Sequence, residues 1–301
     1  MRSSRGIIWL SSYPKSGNTW FRIVLSHLLN QSTSLDYIND MDSILGSPMV
    51  ANRSWMNQSL GIESNLLNQE ELNQLRPIAY TKHAKDVQRT TYIKIHDAYT
   101  YNSDNKPLIP DEGCLGAVYF IRNPLDVAVS LSHHAKCPID WSIHMMANEG
   151  FSVPLDVNNE KQINQKLLSW SSHVKSWAAA SSIKVLFLRY EDMFFNPFDT
   201  FKQGMDFLNI QVSPEMLQQA IEDASFDKLQ AFEERFDFKE KAQPDGRFFR
   251  KGVVDDWKTT LTEEQVKRII RDHGEIMHAY GYLDDSGKPV MNIMKGYSNE
   301  Q

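Results

Sequence analysis

Cysteine is nearly absent from this 301-residue chain: only Cys114 and Cys137 occur, and they do not form a CxxC pair. Two such thiols cannot build a disulfide framework, and their scarcity points to a reduced, intracellular setting. Long apolar runs are missing too. Gly6 to Leu10 is a short apolar stretch that stops at Ser11, far below the ~18–20 residues of a membrane span. With no targeting signal at its N-terminus, the chain reads as soluble and cytoplasmic, with no membrane partner. An excess of positive charge is likewise absent. Thirty-two Lys and Arg stand against 38 Asp and Glu, a net charge of −6. That balance argues against a nucleic-acid partner and leaves room for a local basic pocket. Repeats and low-complexity blocks do not occur. Hydrophobic residues at 41% and charged residues at 23% exclude a disordered chain and a coiled coil.

What is present is an alternation of strand-like and helix-like segments. Ile7 to Leu10 is a compact apolar run, followed by the breaker-rich Ser11 to Gly17 and a helical pattern through Trp20, Ile23, Val24, His27 and Leu28. Ala117 to Ile121 repeats the scheme, with Arg122-Asn123-Pro124 and then a helix carrying Val127, Val129 and Leu131. Val185 to Leu188 predicts a third strand and Thr91 to Ile95 a fourth. Short apolar runs separated by helices suit a parallel sheet covered on both faces, so the fold class is α/β with a central, mostly parallel sheet. Two stretches fit less well. Residues 36–88 are polar, with only Asn68 to Leu75 suggesting a helix, and 224–258 lack clear periodicity. Long irregular segments of this kind are usually functional loops or mobile ones. A last helix is predicted from about Thr262 to Ala279, opened by a Thr262–Gln265 capping box and stopped at Gly281. The tail from Asp284 to residue 301 is polar and is expected to be flexible.

Three segments carry candidate chemistry. Tyr13-Pro14-Lys15-Ser16-Gly17-Asn18-Thr19-Trp20 lies between a strand and a helix, where backbone N–H groups and a helix N-terminus can hold an anion. It lacks the Gly-Lys-[Ser/Thr] spacing of a nucleotide triphosphatase loop, and an ordinary strand–turn–helix connection with a surface lysine fits the same residues. Arg122 to Ser130 puts an arginine at a strand end, where ligands collect in parallel sheets; a surface Arg122–Asp126 pair is the other reading. Arg250-Lys251-Gly252, followed by Asp255-Asp256-Trp257-Lys258, could close over a phosphate or be a solvated loop. Together the three bring positive charge to an otherwise acidic protein.

These residues, in this order, resemble the cytosolic-type sulfotransferases, which use 3′-phosphoadenosine 5′-phosphosulfate as donor and release 3′,5′-adenosine bisphosphate (PAP). The likeness covers nearly the whole chain, 1–301, as a single domain with a P-loop-like nucleotide-binding core. The Tyr13–Trp20 segment resembles the family's 5′-phosphosulfate loop with Asn18 as its one departure, and Arg122–Ser130 its 3′-phosphate segment. Arg189-Tyr190-Glu191-Asp192-Met193 resembles a later conserved block, and Arg250-Lys251-Gly252 with Asp256-Trp257-Lys258 the C-terminal clamp. The resemblance implies that Lys15 meets the charge left on the leaving phosphate, and that Ser16, Gly17, Asn18 and Thr19 cradle the 5′-phosphate. It implies that Arg122, Ser130, Arg250, Lys251 and Gly252 hold the 3′-phosphate. Trp20 and Phe226 would sandwich adenine, Tyr190 would bond to its edge, and Ser225 precedes Phe226 as in the family's Thr-Ser-Phe triplet. By the same likeness His96 is the base, and Lys94, two residues earlier on the same strand face, assists transfer. No metal is implied.

The acceptor is less legible. Asp97 follows His96, and His134 lies just beyond the 3′-phosphate segment, so both are candidate acceptor contacts. An acidic, histidine-lined pocket suits a polar small molecule, with an amine- or guanidinium-bearing natural product as one candidate, sulfated on O or N. A water-facing turn is the other reading of Asp97, and phenolic or alcohol acceptors are the alternative class. A P-loop kinase and a catalytically silent nucleotide-binding module are rival functions; Pro14-Lys15-Ser16-Gly17 speaks against the first, and Lys15 with His96 against the second. Lys258 and Thr262 match only the opening of the family's dimer motif, so a monomer or weak homodimer is expected.

Overall fold

All seven residues of β1 (Gly6–Ser12) are buried, because the strand lies between two parallel neighbours and both of its faces are covered. The computed structural model describes residues 5–31, 35–154, 160–241 and 246–290. In chain order the other strands are β2 (Thr90–Ile95), β3 (Cys114–Ile121), the two-residue β4 (Ser152–Val153) and β5 (Gln165–Lys166), and β6 (Val185–Arg189). Four of them form a parallel sheet in the order β2-β1-β3-β6, and β4 pairs with β5 as a separate antiparallel ladder. Successive residues of a strand point to opposite faces, and the apolar runs divide accordingly. Ile7, Trp9, Ile93, Ile95, Ala117 and Tyr119 enter one core; Ile8, Leu10, Tyr92, Val118, Phe120 and Leu188 enter the other. The continuous apolar runs are thus the mark of a sheet buried on both sides.

The helix after β1 spans Asn18–Asn30, the one after β3 spans Pro124–Ala135, and the last spans Glu263–Ala279. Its capping box forms as the sequence suggests, with Gln265 N donating to Thr262 Oγ1 at 3.3 Å and Thr262 N to Gln265 Oε1 at 3.0 Å. Residues 36–88 differ from expectation. They carry helices at Arg53–Leu60 and Gln69–Asp86, the second far longer than Asn68 to Leu75 alone suggests. Asn52 and Asn68 are N-caps, accepting from Trp55 N and Glu71 N. Many of the remaining polar residues coat exposed faces, while Trp55, Met56, Leu72, Arg76 and Tyr80 are buried. Within 224–258, Phe226–Phe236 is also helical. At the C-terminus residues 284–290 close a turn, with Asp284 N donating to Lys288 O at 2.9 Å and Val290 N to Tyr282 O at 3.0 Å; the rest of the predicted flexible tail lies outside the described residues. Among the described residues no helix is long and apolar enough to cross a membrane.

Two histidines are built into the core in neutral form. His173 is fully buried, its Nδ1 meets the Tyr119 hydroxyl at 2.7 Å, and its Nε2 lies 3.0 Å from the His96 carbonyl oxygen. The carbonyl requires a proton on Nε2, leaving Nδ1 to accept from the phenol. His273 is 3% exposed and bonded to Ser171 Oγ at 2.9 Å. Burial pushes both down to about 4. An unfolded chain takes up these protons near ~6.5 while the folded chain stays neutral, so acid favours unfolding. Stability should therefore fall as pH drops from about 6.5 to about 4, by ~1.4 kcal/mol per pH unit for each histidine. Denaturant unfolding across that window checks this, and a flat profile would contradict it.

Candidate active site

Because the four sheet strands are parallel, their C-terminal ends share one edge. There β1 runs into the Tyr13–Gly17 loop, β2 into His96, β3 into Arg122 and β6 into Tyr190. The loop turns sharply: Lys15 has φ 73° and Gly17 φ 95°. At Gly17 a β-carbon would stand 2.7 Å from the Tyr190 ring and 2.8 Å from the Met193 methyl, so only glycine fits there. Asn18, the departure in this loop, ties the helix start back to the strand through Nδ2 to Leu10 O at 2.8 Å. Ser16 Oγ, Asn18 Oδ1 and Trp20 Nε1 are buried without a hydrogen-bond partner. Of these, Ser16 Oγ and Trp20 Nε1 are donors, and orphaned donors at a strand-to-helix turn suit an anionic ligand, whereas Asn18 Oδ1 can only accept.

Lys15 Nζ lies 4.7 Å from the centre of the Phe248 ring and 3.5 Å from His134 Nδ1. Burial, aided by Lys94 and Arg122, lowers its ammonium to about 8. His134, on the helix after β3, is thereby placed beside the loop. Burial first, and then Lys15 and Lys94, push its imidazole down to about 3.

His96 is held from several sides. Its Nδ1 sits 2.8 Å from the Ser12 carbonyl oxygen. A carbonyl only accepts, so this contact assigns the proton to Nδ1 and leaves the lone pair on Nε2. The backbone N–H of His96 donates to Gln165 Oε1 at 2.8 Å. Burial, reinforced by Lys94, pushes its pKa down to about 3, which keeps the ring neutral through ordinary pH.

Arg122 joins three segments. Its guanidinium donates to Lys15 O at 3.2 Å and to Val253 O at 3.0 Å, and lies 4.2 Å from the Tyr190 ring centre. Asp126, 3.8 Å from Arg122, is buried and accepts from Asp255 N and Trp257 N, so this pair is an internal clamp and not a surface ion pair. Ser130 is half-buried further along the same helix. Arg250 and Lys251 both reach Asp256, at 2.5 and 2.6 Å. Gly252 lies against the Phe226 ring, where a β-carbon would meet a ring carbon at 2.1 Å. Ser225 and Phe226 open the helix Phe226–Phe236, and Trp20 meets Tyr190 edge-on at 6.2 Å.

Asp97 is the exception. It is 0% exposed, and its carboxylate accepts from both terminal nitrogens of Arg76, itself 1% exposed, and from Lys166 N at 3.0 Å. A carboxylate so saturated is closed to an acceptor, so Asp97 is a structural anchor behind His96, neither an acceptor contact nor a water-facing turn. Glu240 is the residue that sequence reasoning missed. Its Oε2 accepts from Lys94 Nζ at 2.8 Å and Thr19 Oγ1 at 3.3 Å, and its Oε1 from Arg22 at 2.5 Å. Burial alone would raise this carboxyl, but Arg22 and Lys94 hold it well below the usual range. No spacing around Glu240 announces a site. Among the described residues no group of three His, Cys, Asp or Glu is arranged to hold a metal.

A family model for the sulfotransferase domain matches residues 6–281. The rabbit amine sulfotransferase is 24% identical over 280 residues, covering 90% of this chain and 80% of its own. The luciferin sulfotransferase of Photinus pyralis is 24% identical over 284 residues, covering 87% and 69%. Among solved structures, a mouse sulfotransferase complexed with PAP aligns at TM-score 0.56 and 23% identity over 94% of this chain and 87% of its own. Retinol dehydratase in a complex with retinol and PAP aligns at 0.59 and 20%, over 92% and 82%.

Removing the Asp97 charge would leave the Arg76 guanidinium buried and uncompensated. Asp97→Asn should therefore cost ~3–5 kcal/mol of folding stability. Denaturant unfolding measures it, and a loss below ~1 kcal/mol would return Asp97 to the class of weak, solvated pairs.

Proposed function

The chain belongs to the sulfotransferase family, and from that premise we propose that it moves a sulfuryl group from 3′-phosphoadenosine 5′-phosphosulfate to a polar small molecule in the cytoplasm. The observation that carries the mechanism is the Ser12 carbonyl on His96 Nδ1. It fixes the tautomer in which Nε2 takes the proton of an attacking hydroxyl or of an amine or amide nitrogen. The donor supplies a sulfur already activated by its bond to phosphate. As the acceptor's new bond to sulfur forms and the S–O bond to phosphate breaks, Lys15 meets the electron pair left on the bridging oxygen, and Lys94 steadies the sulfuryl group. Ser16 to Thr19 bind the 5′-phosphate through backbone N–H groups and the buried, partnerless Ser16 hydroxyl. Arg122, Ser130, Arg250, Lys251 and Gly252 hold the 3′-phosphate, and Trp20, Tyr190, Ser225 and Phe226 hold the base. Positive side chains and N–H groups carry the anionic charge, so the reaction needs no metal.

With Asp97 committed to Arg76, the polar acceptor rests on His134 beside Lys15. An amine- or guanidinium-bearing natural product remains a candidate. The rabbit relative's name, amine sulfotransferase, supports an amine acceptor; phenolic or alcohol acceptors are the alternative class. The enzyme acts as a monomer or weak homodimer.

Calorimetric titration with PAP and with adenosine 5′-phosphate, without added metal, tests the reading. Clear preference for PAP is expected, and equal or absent binding overturns it. Once an acceptor is in hand, Lys15→Ala and His96→Ala should each lower kcat by ~10²–10⁴. Arg250→Ala and Ser130→Ala should act mainly on the donor's KM. Near-normal kcat in either of the first two variants would refute their assigned roles.

A further inference from the structure

Glu240 bonds to two residues that the reading above places at the donor's 5′ end, Lys94 at the sulfuryl group and Thr19 at the 5′-phosphate. Its Oε2 holds Lys94 Nζ at 2.8 Å and Thr19 Oγ1 at 3.3 Å, whereas Oε1 faces Arg22. Arg22 is 2% exposed and is itself held by Asp42 at 3.3 Å, so the anchor on the Oε1 side is fixed. The backbone around Glu240 is fastened as well: Lys239 N donates to Asn39 Oδ1 at 3.0 Å, and Asn39 Nδ2 donates to Asp237 O at 3.1 Å. The side chain is 23% exposed, which leaves it room to turn.

Thr19 has a single O–H and can serve only one of a carboxylate and a phosphosulfate, and two anions at contact distance repel, so the two compete for this place. We propose that Glu240 is the resting occupant of the subsite for the donor's 5′ anionic group, and that nucleotide binding is an exchange of anions. Lys94 and Thr19 pass from the carboxylate to the 5′ phosphate or phosphosulfate, while Arg22 keeps hold of Oε1. The exchange rests on the sulfotransferase reading given above. It assigns Glu240 a part in nucleotide selection. A ligand with a 5′ anion must displace the carboxylate, and a ligand without one leaves it in place. Removing the carboxylate should then strengthen binding of the first kind only, opposite in sign to the loss of a direct ligand.

Calorimetry on Glu240→Gln and wild type with PAP and with adenosine 3′-phosphate tests this, after thermal melts show both proteins folded. In the variant the Kd for PAP should fall by about five-fold or more, the scale of releasing one partly buried ion pair, while adenosine 3′-phosphate changes by less than about two-fold. Glu240→Ala should show the same sign, which keeps the test open should the glutamine variant not fold. Weaker or unchanged PAP binding would overturn the exchange, as would equal tightening of both nucleotides, which would report only the general field of a lost charge. If wild type itself fails to prefer PAP over adenosine 5′-phosphate, the sulfotransferase reading falls. If wild type prefers PAP and the variants do not differ from it, only the role of Glu240 falls.

Discussion

Because β1 is hydrogen-bonded in parallel to β2 on one side and to β3 on the other, with β6 beyond, four segments leave the sheet at a single edge. Sequence-distant residues meet there with no further device: the loop after Ser12, His96, Arg122 and Tyr190 each lie one step past a strand end. A parallel pair needs a long crossover between its strands, so the chain between these exits is free to form the covering helices. The register also sets the position of His96. Ser11 pairs with Ile95, so the next residues, Ser12 and His96, lie side by side, and the Ser12 carbonyl can reach the imidazole.

Behind this edge the structure uses buried polar bonds as struts. The Asp97 carboxylate joins Arg76 of the helix Gln69–Asp86 to Lys166 of β5. Gln165, the neighbouring residue of β5, holds the His96 N–H, and His173 meets the His96 carbonyl, with Tyr119 behind it. Each group is costly to bury alone and inexpensive when all its partners are present. The satisfied set therefore fixes the backbone at His96 more firmly than apolar contacts would. Pre-organisation of this kind suits the role proposed for His96, that of a base meeting a proton at a set point.

Legibility in the sequence follows the same physics. The strands were readable because burial on both faces leaves unbroken apolar runs, and the loop from Tyr13 to Trp20 because its glycine and short side chains are dictated by local turns. Helices within 36–88 were hidden because a helix with one narrow buried stripe and many Asn, Gln and Ser residues has little periodic contrast. Asp97 misled for a related reason: its partner Arg76 is twenty-one positions away, and no local pattern reveals a buried pair. Glu240 was illegible because its three partners come from Thr19, Arg22 and Lys94, which adjoin only in the folded chain.

Electrostatics explains why such a carboxylate belongs at this edge. Lys15, Lys94, Arg122 and Arg250 act on one another closely enough that the last three each lower the Lys15 ammonium, on top of burial. Without an anion this cluster opposes its own charge, and a lysine held at about 8 sits near the point of losing its proton. Glu240 works the other way, raising Lys15 while itself being held ionised by Arg22 and Lys94. An acidic side chain inside a cationic site thus preserves the charges that the site requires until an outside anion replaces it. The cost is competition, since every ligand anion that reaches Lys94 must first exceed the hold of a carboxylate already bonded there.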